Sequence, residues 1–299
     1  MVFPPSAVRC SGKKILILRR CLIVPLFLFL FFNNLSAGAE RISVIGEVLD
    51  INLSRNTLKL AHDSKGWLKS TKTLFNVSQA DALIAQRFQR VRGEAIAFQS
   101  EYRLEHLYPF DPVTERTMGE INRLFRRDTL LRGRLVERRV GEPIPSFALY
   151  NQDGLLVRPA NLKGQFLVIN FIFTRCPDPS MCPAATLSMM DLQRAATQVG
   201  RKDLHLISVS FDPEYDSPGI LKQYASARGI DNQNFDFLTG PPKVITDVMK
   251  QFGILRVREN GTWMHTMATV LVDPQGRILY RKEGKVWQAE DFLQKMVKS

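Results

Sequence analysis

The stretch Phe166-Leu-Val-Ile-Asn-Phe-Ile-Phe-Thr-Arg-Cys-Pro-Asp-Pro-Ser-Met-Cys-Pro183 decides the fold of this 299-residue chain. Residues 165–173 are an almost unbroken apolar run, the pattern of a strand buried on both faces. Cys176 and Cys182 follow it directly. After them, residues 184–199 place Leu187, Met190, Leu192, Ala195 and Val199 roughly at helical spacing, which predicts a helix. The cysteines therefore occupy the loop between a buried strand and a helix. Residues 204–211 predict the next strand. Ser217-Pro218 then supplies an N-cap and a first-turn proline for a helix ending near Gly229. Pro241-Pro242 opens another helix to Phe252. Residues 269–272, the turn Asp273-Pro-Gln-Gly276 and residues 277–280 predict a hairpin, and a last helix covers 288–297.

Strand, cysteine loop, helix, strand, helix, hairpin and helix is the order of a thioredoxin-like α/β domain, expected here over 140–299. Upstream, residues 40–108 read as a small, OB-like β-barrel. Residues 42–45 and 48–53 are apolar strand candidates, Ser54-Arg-Asn56 is a turn, and residues 57–60, 73–77 and 90–98 add further strands. A helical stretch, 80–88, is expected between the last two. Residues 109–139 form an arginine-rich linker or helix whose stripe is Ile121, Leu124, Phe125, Leu130 and Leu131.

The formal net charge is +12, and five of the Lys and Arg residues lie within 1–39, where there is no acid. What remains is a mildly basic surface. No basic stripe interleaves with stacking aromatics, so no nucleic-acid partner is expected. Arg19-Arg20 leads into the twelve-residue apolar run 21–32, short of the ~20 residues of a spanning helix. Ala37-Gly38-Ala39 then gives a small-residue cleavage pattern. Residues 1–39 are expected to be a signal peptide, or else an uncleaved membrane anchor. Either way the mature chain belongs in the periplasm or on the outer face of the bacterial inner membrane.

Export matters for the cysteines, because Cys176 and Cys182 are the only two beyond residue 21. In an oxidising compartment such a pair is by default a disulfide. It can equally be a redox couple or a metal chelate. A redox dithiol of the thioredoxin kind carries Cys-x-x-Cys, whereas five residues separate this pair. Pro177, Pro179 and Pro183 restrain the loop, and a helix start favours thiolate, the metal-binding form. His265 precedes the predicted strand 268–272. A thioredoxin-like sheet would carry a proline there, yet none occurs between Pro242 and Pro274. Two thiolates and one imidazole make a soft, low-coordination set, suited to Cu+ and still able to accept Cu2+. Cys176, Cys182 and His265 are therefore the candidate copper ligands. Met181, Met264 and Met267 lie near them in sequence and read first as apolar filling; Asp212 reads as a turn or helix-entry residue.

Phe171-Ile-Phe-Thr-Arg-Cys-Pro177 with Cys182-Pro183, Ile207-Ser-Val-Ser-Phe-Asp-Pro-Glu-Tyr-Asp-Ser-Pro218 with Leu221-Lys-Gln-Tyr-Ala225, and Met264-His-Thr266 with Val272-Asp-Pro-Gln-Gly-Arg277 carry a resemblance. Over residues 141–297 the chain resembles the Sco/SenC family, thioredoxin-fold copper chaperones of cytochrome c oxidase assembly. The resemblance implies one copper held by Cys176, Cys182 and His265. It also implies delivery to the copper-site subunit of the oxidase or to another copper protein. The usual family loop has three residues between the cysteines, where this one has five. The N-terminal unit resembles the small periplasmic CusF-type copper domain through Thr57-Leu-Lys-Leu-Ala-His-Asp63 and Lys69-Ser-Thr-Lys-Thr-Leu-Phe75. His62 matches that family's histidine, but Thr71 and Thr73 stand in place of its methionines and Trp67 sits at a different spacing. This predicts a degenerate barrel without a metal site, used for docking or spacing. Two alternatives share the cysteine pair, an exported thiol–disulfide reductase acting on copper-site cysteines and a redox or copper sensor. A peroxidase built on Thr174, Arg175 and Cys176 explains the second cysteine and His265 less well.

Overall fold

A computed structural model describes residues 40–63, 66–98, 101–259, 262–285 and 287–297. The leader expected over 1–39 lies outside them. Among the described residues no helix is long and apolar enough to cross a membrane.

The first unit is a closed barrel. Its strands are β1 (Arg41–Asn52), β2 (Thr57–His62) and β3 (Lys72–Asn76), then, after the short helix α1 (Gln79–Ile84), β4 (Arg90–Phe98) and β5 (Glu101–Pro109). The order is β1-β2-β3-β5-β4, and β1 pairs antiparallel with both β2 and β4. The two apolar runs read separately at the start of the unit are one twelve-residue strand. Val44, Val48, Leu58, Leu60, Phe75, Val91 and Leu104 point inward and fill the barrel. Helix α1 is shorter than expected because Ala85 already has extended backbone and Phe88 takes a φ of 68°. Strand β5 was not foreseen, since its burial follows no clean alternation.

Helix α2 (Pro112–Arg132) fills the expected linker. The Asp111 side chain caps it by accepting from the Thr114 amide at 2.7 Å, and Pro112 takes the first turn. Its buried face is Met118, Asn122, Phe125 and Thr129. The predicted stripe is corrected here, because Leu124, Leu130 and Leu131 are exposed. Hydrogen bonding decides the rotation. Asn122 exchanges two bonds with the Ala148 backbone, at 2.8 and 2.9 Å, and Thr129 accepts from Gln251 at 2.9 Å.

The thioredoxin-like unit follows. A two-strand ribbon, β6 (Leu149–Tyr150) and β7 (Leu156–Val157), leads to β8 (Phe166–Ile172), α3 (Cys182–Gln198), β9 (Leu204–Ser210), α4 (Pro218–Ser226), β10 (Phe235–Leu238) and α5 (Pro242–Gln251). A hairpin, β11 (Arg256–Glu259) and β12 (Thr262–His265), precedes β13 (Ala268–Val272), β14 (Ile278–Glu283) and α6 (Ala289–Val297). The main sheet runs β10-β9-β8-β13-β14; β8, β9 and β10 are parallel, and β13 is antiparallel to both neighbours. Every residue of β8 is buried, as its sequence predicted.

Residues 39–299 form one compact unit, so barrel and thioredoxin-like fold share an interface. Glu115 of α2 takes an ion pair from Arg92 of β4 at 3.0 Å and the hydroxyl of Tyr150 of β6 at 2.6 Å. Helix α1 packs on α4. A Cβ at Gly219 would lie 2.8 Å from the Ala80 backbone and from Asp81 Oδ1, so only glycine permits that approach.

Candidate metal centre

Strand β8 ends at Ile172, and the chain turns through Thr174 and Arg175 to Cys176. Cys182 is the first residue of α3 and is buried; Cys176 is half-buried, and both are free thiols. The short hairpin β11–β12, unforeseen from sequence, ends at His265. Cys182 Sγ lies 3.6 Å from His265 Nε2. Two donors of this kind bound to one ion at tetrahedral or trigonal angles stand roughly 3.5–3.8 Å apart at zinc-like bond lengths. The pair is thus at chelating distance.

His265 Nδ1 lies 3.0 Å from the Thr266 carbonyl. A carbonyl only accepts, so Nδ1 carries the proton and Nε2 offers its lone pair towards Cys182. Phe211 and Phe173 pack on the ring at centroid distances of 4.5 and 6.1 Å. Burial lowers the His265 pKa, against a smaller opposing effect of the Thr266 bond, and this favours the neutral ligand form. Burial pushes the Cys182 thiol well up. The Phe173 amide donates to its sulfur and opposes the rise, while hydrogen-bonded Cys176 adds to it. The expectation that the helix start favours thiolate is thus reversed for Cys182, because desolvation outweighs the dipole.

The third candidate ligand is adjacent but not locked. Cys176 lies near enough to Cys182 to raise its pKa, and its own sulfur lies 3.7 Å from the Asp178 carbonyl. Among the described residues no cluster of three His, Cys, Asp or Glu side chains is placed to hold a metal ion. The structure brings Cys182 to His265 and Cys176 near Cys182, without assembling the three as one ligand set.

The SCO1/SenC family model matches residues 137–298. This chain belongs to the SCO1/SenC family. A SCO1 protein homolog of Bacillus subtilis is 34% identical over 140 residues, which are 46% of this chain and 71% of that protein. BsSco, solved in work on a disulfide switch and described as a member of the Sco family of cytochrome c oxidase assembly proteins, is 31% identical with a TM-score of 0.47. That match covers 54% of this chain and 96% of BsSco. The ScoI of Bradyrhizobium japonicum, solved with copper bound, is 26% identical with a TM-score of 0.45, covering 52% and 99%.

Around the cysteine loop lie residues that sequence reading passed over or placed elsewhere. Asp216, fully buried, accepts from the Thr174 hydroxyl, from the Thr174 amide at 3.1 Å and from the Ser210 hydroxyl. Asp212 accepts from Arg175 at 2.7 Å, and Tyr215 stacks under the same guanidinium at 4.0 Å. These acids flank a proline and precede an N-cap, so in sequence they look like turn formers. Asp178 closes a local turn on Ser180 within the cysteine loop. Met264 is half-exposed beside the site. In the barrel, buried His62 sits 3.0 Å from Thr73 Oγ1, Thr71 faces solvent, and Trp67 stacks on Tyr102 at 5.4 Å. A hydroxyl thus faces His62 at the position where the CusF-type resemblance would place a thioether. A cleft of about 910 Å³ between barrel and thioredoxin-like unit reaches the cysteine loop at Phe173, Arg175 and Pro177, with Arg92, His106 and Tyr108 opposite.

Proposed function

We propose that this Sco-family chain is a copper-binding metallochaperone that serves maturation of the copper site of cytochrome c oxidase. Its cargo is held by Cys176, Cys182 and His265. The observation that carries the reading is the 3.6 Å approach of Cys182 Sγ to a His265 Nε2 whose lone pair points at that sulfur. Sulfur and imidazole donors select a soft or borderline ion. Copper binding must displace the proton of the buried Cys182 thiol, so uptake releases acid. His265 needs no such loss, since it is already neutral in the required tautomer. Transfer then proceeds by ligand exchange. Incoming thiolates of the recipient replace the three donors in turn, with no net electron transfer.

The recipient is the oxidase copper-site subunit or another copper protein. The basic, apolar and small-residue pattern of 1–39 supports work in the periplasm or at the outer face of the bacterial inner membrane. Anaerobic copper(I) titration with X-ray absorption tests the reading. About one ion per chain with both sulfur and nitrogen neighbours is expected from a two-thiolate, one-imidazole site. Folded protein that takes up no copper would overturn it.

The presence of two free thiols, near enough for Cys176 to raise the Cys182 pKa, favours one second reading, reduction of disulfides in the recipient's copper site. That chemistry does not use the imidazole. In His265→Ala, tight copper binding is expected to vanish while disulfide reduction survives. Oxidase assembly that continues in cells carrying His265→Ala would favour the reductase.

A further inference from the structure

The barrel lacks sulfur donors, yet it is joined to the metal loop by a continuous run of buried polar contacts. Asp81 of α1 is 4% exposed and accepts from Ser217 Oγ at 2.8 Å across the interface. The neighbouring Ser78 hydroxyl holds its second oxygen, also at 2.8 Å. Ser217 caps α4 and is preceded by Asp216. Asp216 grips both the amide and the hydroxyl of Thr174. Thr174 lies two residues before Cys176, in the turn that leads from β8 into the cysteine loop. One segment, Asp212 to Ser217, thus holds the loop on one side and the barrel on the other.

Resting on the chaperone reading above, we propose that the barrel is a positioning domain for the copper loop. Asp81 anchors the 212–217 segment, Asp216 fixes Thr174, and together they set the separation of the two sulfurs. Buried, fully bonded polar groups specify one geometry because any slippage leaves a donor or acceptor unpaired in a dry site. The close approach at Gly219 makes the contact stiff. Five residues between the cysteines give this loop freedom that an outside clasp removes. Asp81 and Asp216 are positioning residues, acting on the metal through Thr174.

Full-length protein with three substitutions tests this. Thr174→Val keeps the side-chain shape but removes the hydroxyl that Asp216 accepts from, and Thr174→Ser restores it. Asp81→Ala releases the barrel's hold while leaving the Ser217 cap in place. Two quantities are measured: copper(I) affinity by competition with a chromophoric chelator, and the thiol–disulfide equilibrium of metal-free protein in glutathione buffer. In Thr174→Val and Asp81→Ala both constants are expected to shift about tenfold, which for a two-electron couple is about 30 mV. Thr174→Ser should match wild type.

Wild-type values in folded Thr174→Val would overturn the clasp, and so would an equal loss in Thr174→Ser. A shift in Thr174→Val without one in Asp81→Ala would remove the barrel from it. Should Asp81→Ala not fold, Asp81→Asn still offers Ser217 an acceptor. That variant must then keep wild-type constants, while Ser217→Ala loses them. If wild type takes up no copper but its thiol equilibrium still moves in Thr174→Val and Asp81→Ala, the chaperone reading falls and the clasp stands.

Discussion

Asp216 shows how one side chain near the metal loop is governed by burial. Desolvation pushes its carboxyl up to about 6, and the bonds from Ser210 and Thr174 only partly oppose this. The ordinary value is 3.8, so between roughly pH 4 and 6 the folded protein binds a proton that the unfolded chain has released. Unfolding then releases this proton, and stability falls as pH rises through that window. The full contribution is present below the unfolded value and is gone above the folded one. A shift of this size is worth on the order of 2–3 kcal/mol. Asp216→Asn cannot titrate. From pH 4 to 7 wild type is therefore expected to lose stability relative to Asp216→Asn, as read from urea midpoints at each pH. A pH-independent gap between the two would show that the buried carboxyl is not titrating there. Above pH 6 the ionised carboxylate suits its three donors, which is the state in which it grips Thr174.

Legibility at the level of elements followed the strength of the local signal. Strand β8 was plain because an apolar run buried on both faces has few other readings. Helix α4 was plain because Ser217-Pro218 announces it. Strand β10 escaped notice because Asp236 interrupts a four-residue run. In the fold that acid is bonded to His205 at 2.8 Å and Asn151 at 2.9 Å. The face of α2 was misjudged because its inward residues include Asn122 and Thr129, whose partners come from distant segments. Of the site, the cysteines and His265 stood out in sequence. The Asp216 clasp did not, since nothing local says that its side chain folds back on Thr174. The α1–α4 contact was equally hidden, and it yields a prediction. Gly219→Ala forces a methyl against backbone at Ala80, a clash that neighbouring side chains cannot relieve. It is expected to cost about 1–3 kcal/mol, measured by denaturant unfolding. Wild-type stability in that variant would mean the two helices are free to part.

Taken as a whole molecule, the chain joins its barrel to its thioredoxin-like unit through groups that neither half can satisfy alone. Glu115 sits at the junction, accepting from Arg92 of the barrel and from the Tyr150 hydroxyl. Burial and the nearby Glu115 carboxylate raise the Tyr150 pKa, so the phenol stays protonated and remains a donor. On the thioredoxin-like side, Arg126 of α2 pairs with buried Asp247 of α5 and Arg138 donates to Gln251 at 2.7 Å, which fixes α2 to that unit. Tyr108 of β5 and Thr239 face each other, both buried. Breaking the interface exposes several of these groups together, so barrel and thioredoxin-like unit are expected to unfold as one. Pulse-labelling hydrogen exchange along a urea series reads each half separately. Peptides from β2 and β9 should share a midpoint in wild type. In Glu115→Ala, Arg92 loses its ion-pair partner and the Tyr150 hydroxyl its acceptor, at a cost of about 1–3 kcal/mol. The β2 midpoint should then fall below that of β9, since the barrel has the smaller core. Separate midpoints in wild type would show that the two halves are merely tethered. A barrel coupled that loosely would have no purchase on the loop that carries Cys176.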